Sequence, residues 1–315
     1  MKAGIMAESW DHLIVLDACR YDYFERHYRE FLNGKLEKRH SVGTSTLEWR
    51  DRSFPDRYDD VVYVSSNPYI ASTSRVKGFV GGDHFAAVYD VWKTGWDQQL
   101  GTVPPEAVNR AAIGALMKHG NMRLIVHYLQ PHAPYLSLSM GDAGFPSPDP
   151  DADSILRGTK SQDNAFKLWL LKLLTPLATK SGFGGANPTW KLRQLLRMAP
   201  ASPMDAVRRY FGIEVLREAY AENLKIVLKK VSTLMRYLSG RIVVTSDHGE
   251  LLGEGGRFSH FSGSTNPLLL EIPWLVIDKP QSEESPRLAK GEDEEGEVSD
   301  DAQIKARLRA LGYID

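Results

Sequence analysis

Arg241-Ile242-Val243-Val244-Thr245-Ser246-Asp247-His248-Gly249-Glu250 is the stretch whose reading decides the fold of this chain. An apolar run closed by Ser-Asp-His-Gly reads as a buried strand that delivers polar side chains at its carboxyl end. In α/β sheets that end is where ligands bind. Asp247 and His248 offer one hard oxygen and one imidazole nitrogen, a donor pair suited to zinc or manganese. The same residues would serve equally as a turn with a capping aspartate, so the stretch by itself leaves both readings open.

Working outward, two further apolar runs end in the same manner. His12-Leu13-Ile14-Val15-Leu16 runs into Asp17, and Met122 to Leu129 carries His127 and leads to Pro131-His132-Ala133-Pro134. A strand is also predicted at Val61 to Ser65, closed by the turn signal Asn67-Pro68. The last strand is expected over Leu268 to Ile277, with Pro273 suiting an edge or a bulge. Helical spacing predicts helices over Cys19 to Arg29, Ala107 to His119 and Ile213 to Leu238. Strands alternating with helices argue for an α/β fold with a largely parallel sheet. The carboxyl ends of parallel strands converge on one edge, and the ligand-bearing residues converge with them.

Composition removes several classes. The chain has 315 residues, a net charge of −1 and a pI near 6.8, so nothing draws it towards nucleic acid. One cysteine, Cys19, excludes a disulfide framework and a thiolate metal cluster. Met1 to Glu8 shows no apolar signal core, and no run of eighteen apolar residues exists, so the reading is a soluble, cytoplasmic protein. We expect a catalytic domain over 1–280 with a basic helical insert at about 150–217, an acidic flexible linker over 281–301 and a short helix in 302–315. Within the insert, Phe166 to Leu174 reads as a basic amphipathic helix packed on the core with its basic face in water. Peripheral contact with a membrane is the alternative.

Taken together these motifs resemble the alkaline phosphatase superfamily in its sulfatase-like branch, with an order and spacing similar to phosphoethanolamine transferases and lipoteichoic acid synthases. The resemblance rests on Leu16-Asp17-Ala18, on Gly43-Thr44-Ser45-Thr46, on His127-x4-His132-x-Pro134, and on Asp247-His248-Gly249-Glu250 followed by His260. It implies a three-layer α/β/α sandwich around a mostly parallel sheet. It also implies that Asp17, Asp247, His248 and the Thr46 oxygen hold zinc or manganese, with His260 as a further ligand and one or two metals bound. Thr46 is then the nucleophile, with Thr44 the alternative. His127, His132 and His260 would bind the substrate's oxygens, protonate the leaving group or complete a second metal site, and Arg20 would add anion affinity. The implied activity is hydrolysis or transfer at a phosphoester through in-line displacement, on a small-molecule or a glycan- or lipid-linked ester. Sulfoester hydrolysis by an unmodified hydroxyl and a catalytically silent binding protein are the alternatives. Cys19 does not fit the formylglycine pattern, Ala18 stands where such sulfatases carry a second aspartate, and His248 replaces their amide, which argues against a calcium-dependent formylglycine sulfatase.

Overall fold

The computed structural model describes residues 4–73, 75, 77–138, 165–181 and 187–280. Its main sheet has seven strands in the order β2-β9-β6-β1-β5-β3-β4. These are β1 (His12–Leu16), β2 (Lys35–His40), β3 (Tyr58–Ser65), β4 (Phe85–Asp90), β5 (Arg123–Tyr128), β6 (Gly240–Ser246) and β9 (Glu271–Lys279), with β7 (Leu251–Leu252) and β8 (Phe258–Ser259) forming a separate small ribbon. β1 pairs in parallel with β5 and β6, and β3 with β4 and β5. β9 runs antiparallel to both β6 and β2, so it alone is reversed and β2 points the same way as the other five.

The central strand β1 is buried at every position, as expected of a parallel strand covered on both faces. Its period of two divides the core. Ile14 and Leu16 face a layer that includes Phe24, Val108 and Leu224, whereas Leu13 and Val15 face Trp49, Tyr63 and Trp274. The first layer is built by the helices Tyr21–His27, Pro105–Lys118 and Ile213–Leu234, and the second is covered by Thr46–Ser53. The architecture is therefore a three-layer α/β/α sandwich. In Ile213–Leu234 the buried Leu216, Tyr220, Leu224, Val227, Val231 and Leu234 recur at helical spacing and hold the helix along the sheet.

Several expectations need correction. The long helix stops at Leu234 and passes into a 3-10 turn over Met235–Tyr237. Leu268 to Leu270 do not begin the last strand; they lie in a helical turn, Pro267–Leu270, and the strand starts at Glu271. Nor is β9 an edge. It is flanked by β2 and β6, and Pro273 is tolerated because its pairing with β6 ends at Trp274, opposite Thr245. The true edges, β2 and β4, were not expected as strands: β2 reads Lys-Leu-Glu-Lys-Arg-His, the charged composition that guards an exposed edge.

From the insert, the structure places helices over Ala165–Ser181, Pro188–Leu195 and Pro203–Tyr210. The linker of 281–301 and the helix of 302–315 lie outside the described residues. Among the described residues no helix is long and apolar enough to cross a membrane.

Candidate active site

Register alone brings the site together. Leu16 lies opposite Ser246 in β6 and Tyr128 in β5, so Asp17 and Asp247 leave adjacent strands side by side. His127 is level with Val15 on one side and Ser65 on the other, one residue below the rim. Asn67 follows β3, and its amide donates to Asp17 Oδ2 at 2.5 Å. The hydroxyl loop arrives from β2, whose parallel direction carries Ser41 to Thr46 to the same edge, where Ser41 Oγ donates to the Asp247 carbonyl.

Ser45 caps the helix Thr46–Ser53, accepting from the Glu48 amide at 3.3 Å, which leaves Thr46 at the first helical position. Glu48 reaches back to the Thr44 amide at 2.8 Å, a Ser-x-x-Glu arrangement that fixes the turn. A side chain at Gly43 would collide with the Trp49 backbone, so this tight entry demands glycine. The outcome for the two threonines is different. Thr46 Oγ1 is buried, donates to Asp247 Oδ2 at 2.8 Å and lies 3.3 Å from His248 Nε2. Thr44 Oγ1 is engaged with Glu48 Oε2, the Phe261 carbonyl and the Ser264 amide. It ties two loops together, away from the carboxylates.

Two groups of ligand atoms result. Asp17, His127 and Asp247 offer atoms all within 4.8 Å of one another, and so do His132, Glu250 and His260. His127 Nε2 is buried, unpartnered and 3.7 Å from Asp17 Oδ2. Its Nδ1 meets the Tyr63 hydroxyl at 2.8 Å; for Nε2 to bind a cation, Nδ1 carries the proton and the Tyr63 oxygen accepts it. Asp247 Oδ1 is held by the amides of Ala18 and His248 at 3.0 and 2.9 Å, which leaves Oδ2 for Thr46. Ala18 adopts φ 57°, a left-handed conformation that aims its N–H at Asp247, and the Tyr220 hydroxyl donates to its carbonyl at 2.6 Å. His248 Nδ1 lies 2.8 Å from the Gly249 carbonyl, so the proton sits there and Nε2 is a bare acceptor facing Thr46.

His132 Nδ1 donates in the same way to the Ala133 carbonyl at 2.6 Å, and Nε2 lies 3.9 Å from Glu250 Oε2. The His132 loop is gripped by Asn223 of the long helix, which donates to the carbonyls of Pro131, His132 and Pro134. Glu250 is fully buried, with Oε1 3.1 Å from His260 Nδ1 and Oε2 unpartnered. A pocket of about 210 Å³ opens onto both groups, lined by Asp17, Thr46, Asn67, His132, Glu250 and His260, and walled by Ala201, Ser202 and Met204 of the insert.

The electrostatics suit a cation. Burial and then the Asp247 charge push the Asp17 carboxyl well above its usual range, against the Asn67 hydrogen bond. Among the described residues neither carboxylate meets a lysine or an arginine. Burial takes His127 down to about 4, lowers His132, and, together with the His260 charge, holds His248 well below its ordinary value. These three imidazoles are neutral at pH 7 and have lone pairs to give. Burial opposes charge on His260 as well, but Glu250 outweighs it and raises the imidazole. Glu250 is held below its ordinary value despite burial, by His260, His132 and His248.

Of the expected residues, Asp17, Thr46, Asp247 and His248 meet, and His132 meets His260. His127, expected either at the substrate or at a second metal site, lies beside Asp17 and Asp247, with ligand atoms of all three within 4.8 Å of one another. Arg20 is corrected outright. Its guanidinium is buried in ion pairs with Asp22 at 2.8 Å and Glu254 at 2.6 Å and does not line the pocket. Glu250, Asn67, Tyr63 and Asn223 were not assigned a site role from the sequence. Glu250 stood in the opening motif, and Asn67 followed an apolar strand as Asp17 does; Tyr63 and Asn223 gave no local signal.

No family model matches the chain. A stretch of 94 residues, 28% of the chain, is 43% identical to the low-salt glycan biosynthesis sulfotransferase Agl7 of Haloferax volcanii, of which it covers 22%. The integral membrane lipooligosaccharide phosphoethanolamine transferase A (EptA) of Neisseria meningitidis superposes over 91% of the chain at 13% identity, with a TM-score of 0.50. The chain spans about half of that protein, 50% of its length. The periplasmic domain of the phosphoethanolamine transferase EptC of Campylobacter jejuni aligns over 84% of the chain and 78% of its own length, at 15% identity and a TM-score of 0.47. The chain shares the fold of that EptA transferase. In this fold the candidate site occupies the carboxyl edge of the parallel strands, with the hydroxyl loop supplied by β2.

Proposed function

We propose that the protein is a metal-dependent enzyme that hydrolyses or transfers a phosphoester group through Thr46. One observation carries the reading: a buried threonine hydroxyl at a helix N-terminus donates to Asp247, within a group of two buried carboxylates and one unpartnered imidazole nitrogen. Asp17, Asp247 and His127, with His248 and the Thr46 oxygen beside them, fit a divalent cation of the zinc or manganese type. When bound, it would supply the positive charge that lowers the threonine's pKa and neutralises the carboxylates.

The chain's own residues account for the proton traffic. The Thr46 hydroxyl faces two acceptors, Asp247 Oδ2 and the bare His248 Nε2. As the Thr46 oxygen bonds to phosphorus, the opposite P–O bond breaks in line. Protonated His260, on the pocket wall, gives its proton to the departing oxygen; Glu250 holds that charge in place and His132 stands beside it. Water or an acceptor hydroxyl then attacks the phosphothreonine on the reverse course. The identity with a glycan sulfotransferase over 94 residues favours a second reading, sulfuryl rather than phosphoryl transfer by the same residues.

The test is a panel of aryl phosphomonoester, phosphodiester and sulfate with defined metals, joined to intact-mass analysis of trapped enzyme. Thr46→Ala is expected to lower turnover by at least ~10³-fold and to abolish the covalent adduct, while Thr44→Ala keeps the adduct. An adduct that survives in Thr46→Ala sinks the assignment, and turnover of the sulfate alone selects the second reading.

A further inference from the structure

The helix Ala165–Ser181 is apolar on two opposite sides. One side packs: Leu171 and Ala178 are buried against Leu192 of the helix Pro188–Leu195 and against Met198. The other side should carry the lysines if the helix were merely amphipathic. Instead, Phe166, Trp169, Leu173 and Leu177 stand in water, 65%, 57%, 51% and 60% exposed. Their spacing of i, i+3, i+7 and i+11 makes one continuous stripe along the helix. Soluble surfaces seldom tolerate such a stripe without an occupant.

Charge indicates the occupant. No aspartate or glutamate occurs between Asp163 and Asp205, while Lys167, Lys172, Lys180, Lys191, Arg193 and Arg197 all fall in that interval. Lys172, Lys180, Lys191 and Arg197 are exposed. Lys180 lies on the stripe itself by helical phase and Lys172 at its flank beside Trp169. A stripe of large apolar and aromatic side chains within a purely basic segment is the pattern of a helix lying in the headgroup layer of an anionic bilayer. A second copy of this chain would have to set six cations against six. An acidic segment of the chain itself, such as the run Glu292 to Glu297, would meet the lysines but offers no apolar partner for Phe166 or Trp169.

We propose that the Ala165–Ser181 helix is an interfacial docking element for anionic lipid surfaces, with Phe166, Trp169, Leu173 and Leu177 inserted among the acyl chains and Lys172 and Lys180 at the phosphates. The docking does not depend on the ester chemistry. It bears on it, however, because the same insert supplies Ala201, Ser202 and Met204 to the pocket wall. Asn187 also exchanges hydrogen bonds with Phe258 of β8, the strand that leads to His260.

The test uses the full chain and vesicle flotation. At 0.1 M salt the protein should float with vesicles of phosphatidylglycerol and phosphatidylcholine and far less with phosphatidylcholine alone. Salt at 0.5 M should weaken binding several-fold, as expected once exposed charges are screened. Trp169→Asp with Leu173→Asp changes only exposed residues, and should cut vesicle binding at least tenfold with turnover of a soluble ester and the melting temperature unchanged. Wild-type protein that stays unbound on anionic vesicles overturns the proposal, as does equal binding by the double variant. So does sedimentation as a dimer that the same substitutions dissociate, which assigns the stripe to a second copy.

Discussion

Asp17 and His127 face each other across 3.7 Å, and their protonation decides what the site can hold. Burial and the Asp247 charge raise Asp17, so without a cation it gives up its proton only above the usual carboxylate range. A cation needs that carboxylate ionised, so binding expels a proton and weakens as pH falls through the raised Asp17 value. His127, lowered to about 4, stays neutral across the same window and does not limit binding until the solution is far more acid. We therefore expect the rise in melting temperature on adding zinc or manganese to be largest at alkaline pH and to shrink on acidification before His127 protonates near pH 4. Thermal scans with and without metal at half-unit steps check this. A rise that stays flat down to the pH at which His127 protonates would mean that Asp17 is not a ligand. The residue scale is also where the sequence was most informative: Asp17, Asp247 and His248 announced themselves by following apolar runs, and the two threonines by the Gly43-Thr44-Ser45-Thr46 resemblance. Glu250 was visible but unassigned, because sequence does not say that its carboxylate turns inwards to His260.

At the scale of elements, what could not be read were the edges and the turns. β2 carries three bases and a glutamate in six positions, since an edge strand must discourage further pairing. Nothing in that composition shows that the hydroxyl loop after it arrives on the same edge as Asp17 and Asp247. The turn after β6 is similarly tertiary in origin. The Gly249 amide donates to the Leu269 carbonyl at 2.9 Å, and the helical turn Pro267–Leu270 closes so tightly that a Cβ on Gly249 would overlap the Leu268 carbonyl. The glycine that looked like part of a ligand motif is there because backbone passes directly over it. Gly249→Ala should cost about 3 kcal/mol, at the upper end for overpacking because the obstacle is backbone rather than a flexible side chain. Urea unfolding followed by tryptophan fluorescence measures it. A loss under about 0.5 kcal/mol would show that the Pro267–Leu270 turn moves aside readily.

Across the whole molecule, the site spans the sheet's middle: Asp17 leaves β1, His127 belongs to β5, Asp247 leaves β6, and Asn67 follows β3. Two cores on either face of the sheet hold these strands in register without help from the site, so removal of metal should leave the fold intact. It should, however, leave two carboxylates buried with no lysine or arginine beside them. We expect chelation to preserve the far-ultraviolet circular dichroism and to lower the melting temperature by ~5–10 °C, the scale set by losing a ligand present far above its dissociation constant. Asp17→Asn separates this from loss of a structural element, because the two accounts predict opposite signs. The raised Asp17 value means that its ionised form opposes folding at neutral pH, so an amide at position 17 removes a cost. The Asn67 amide can still donate to the new carbonyl oxygen. In the metal-free state Asp17→Asn should therefore melt above the chelated wild type, and adding zinc or manganese should raise it little. If the variant melts below the chelated wild type, the carboxylate stabilises the fold by itself and the case for a cation between β1, β5 and β6 fails.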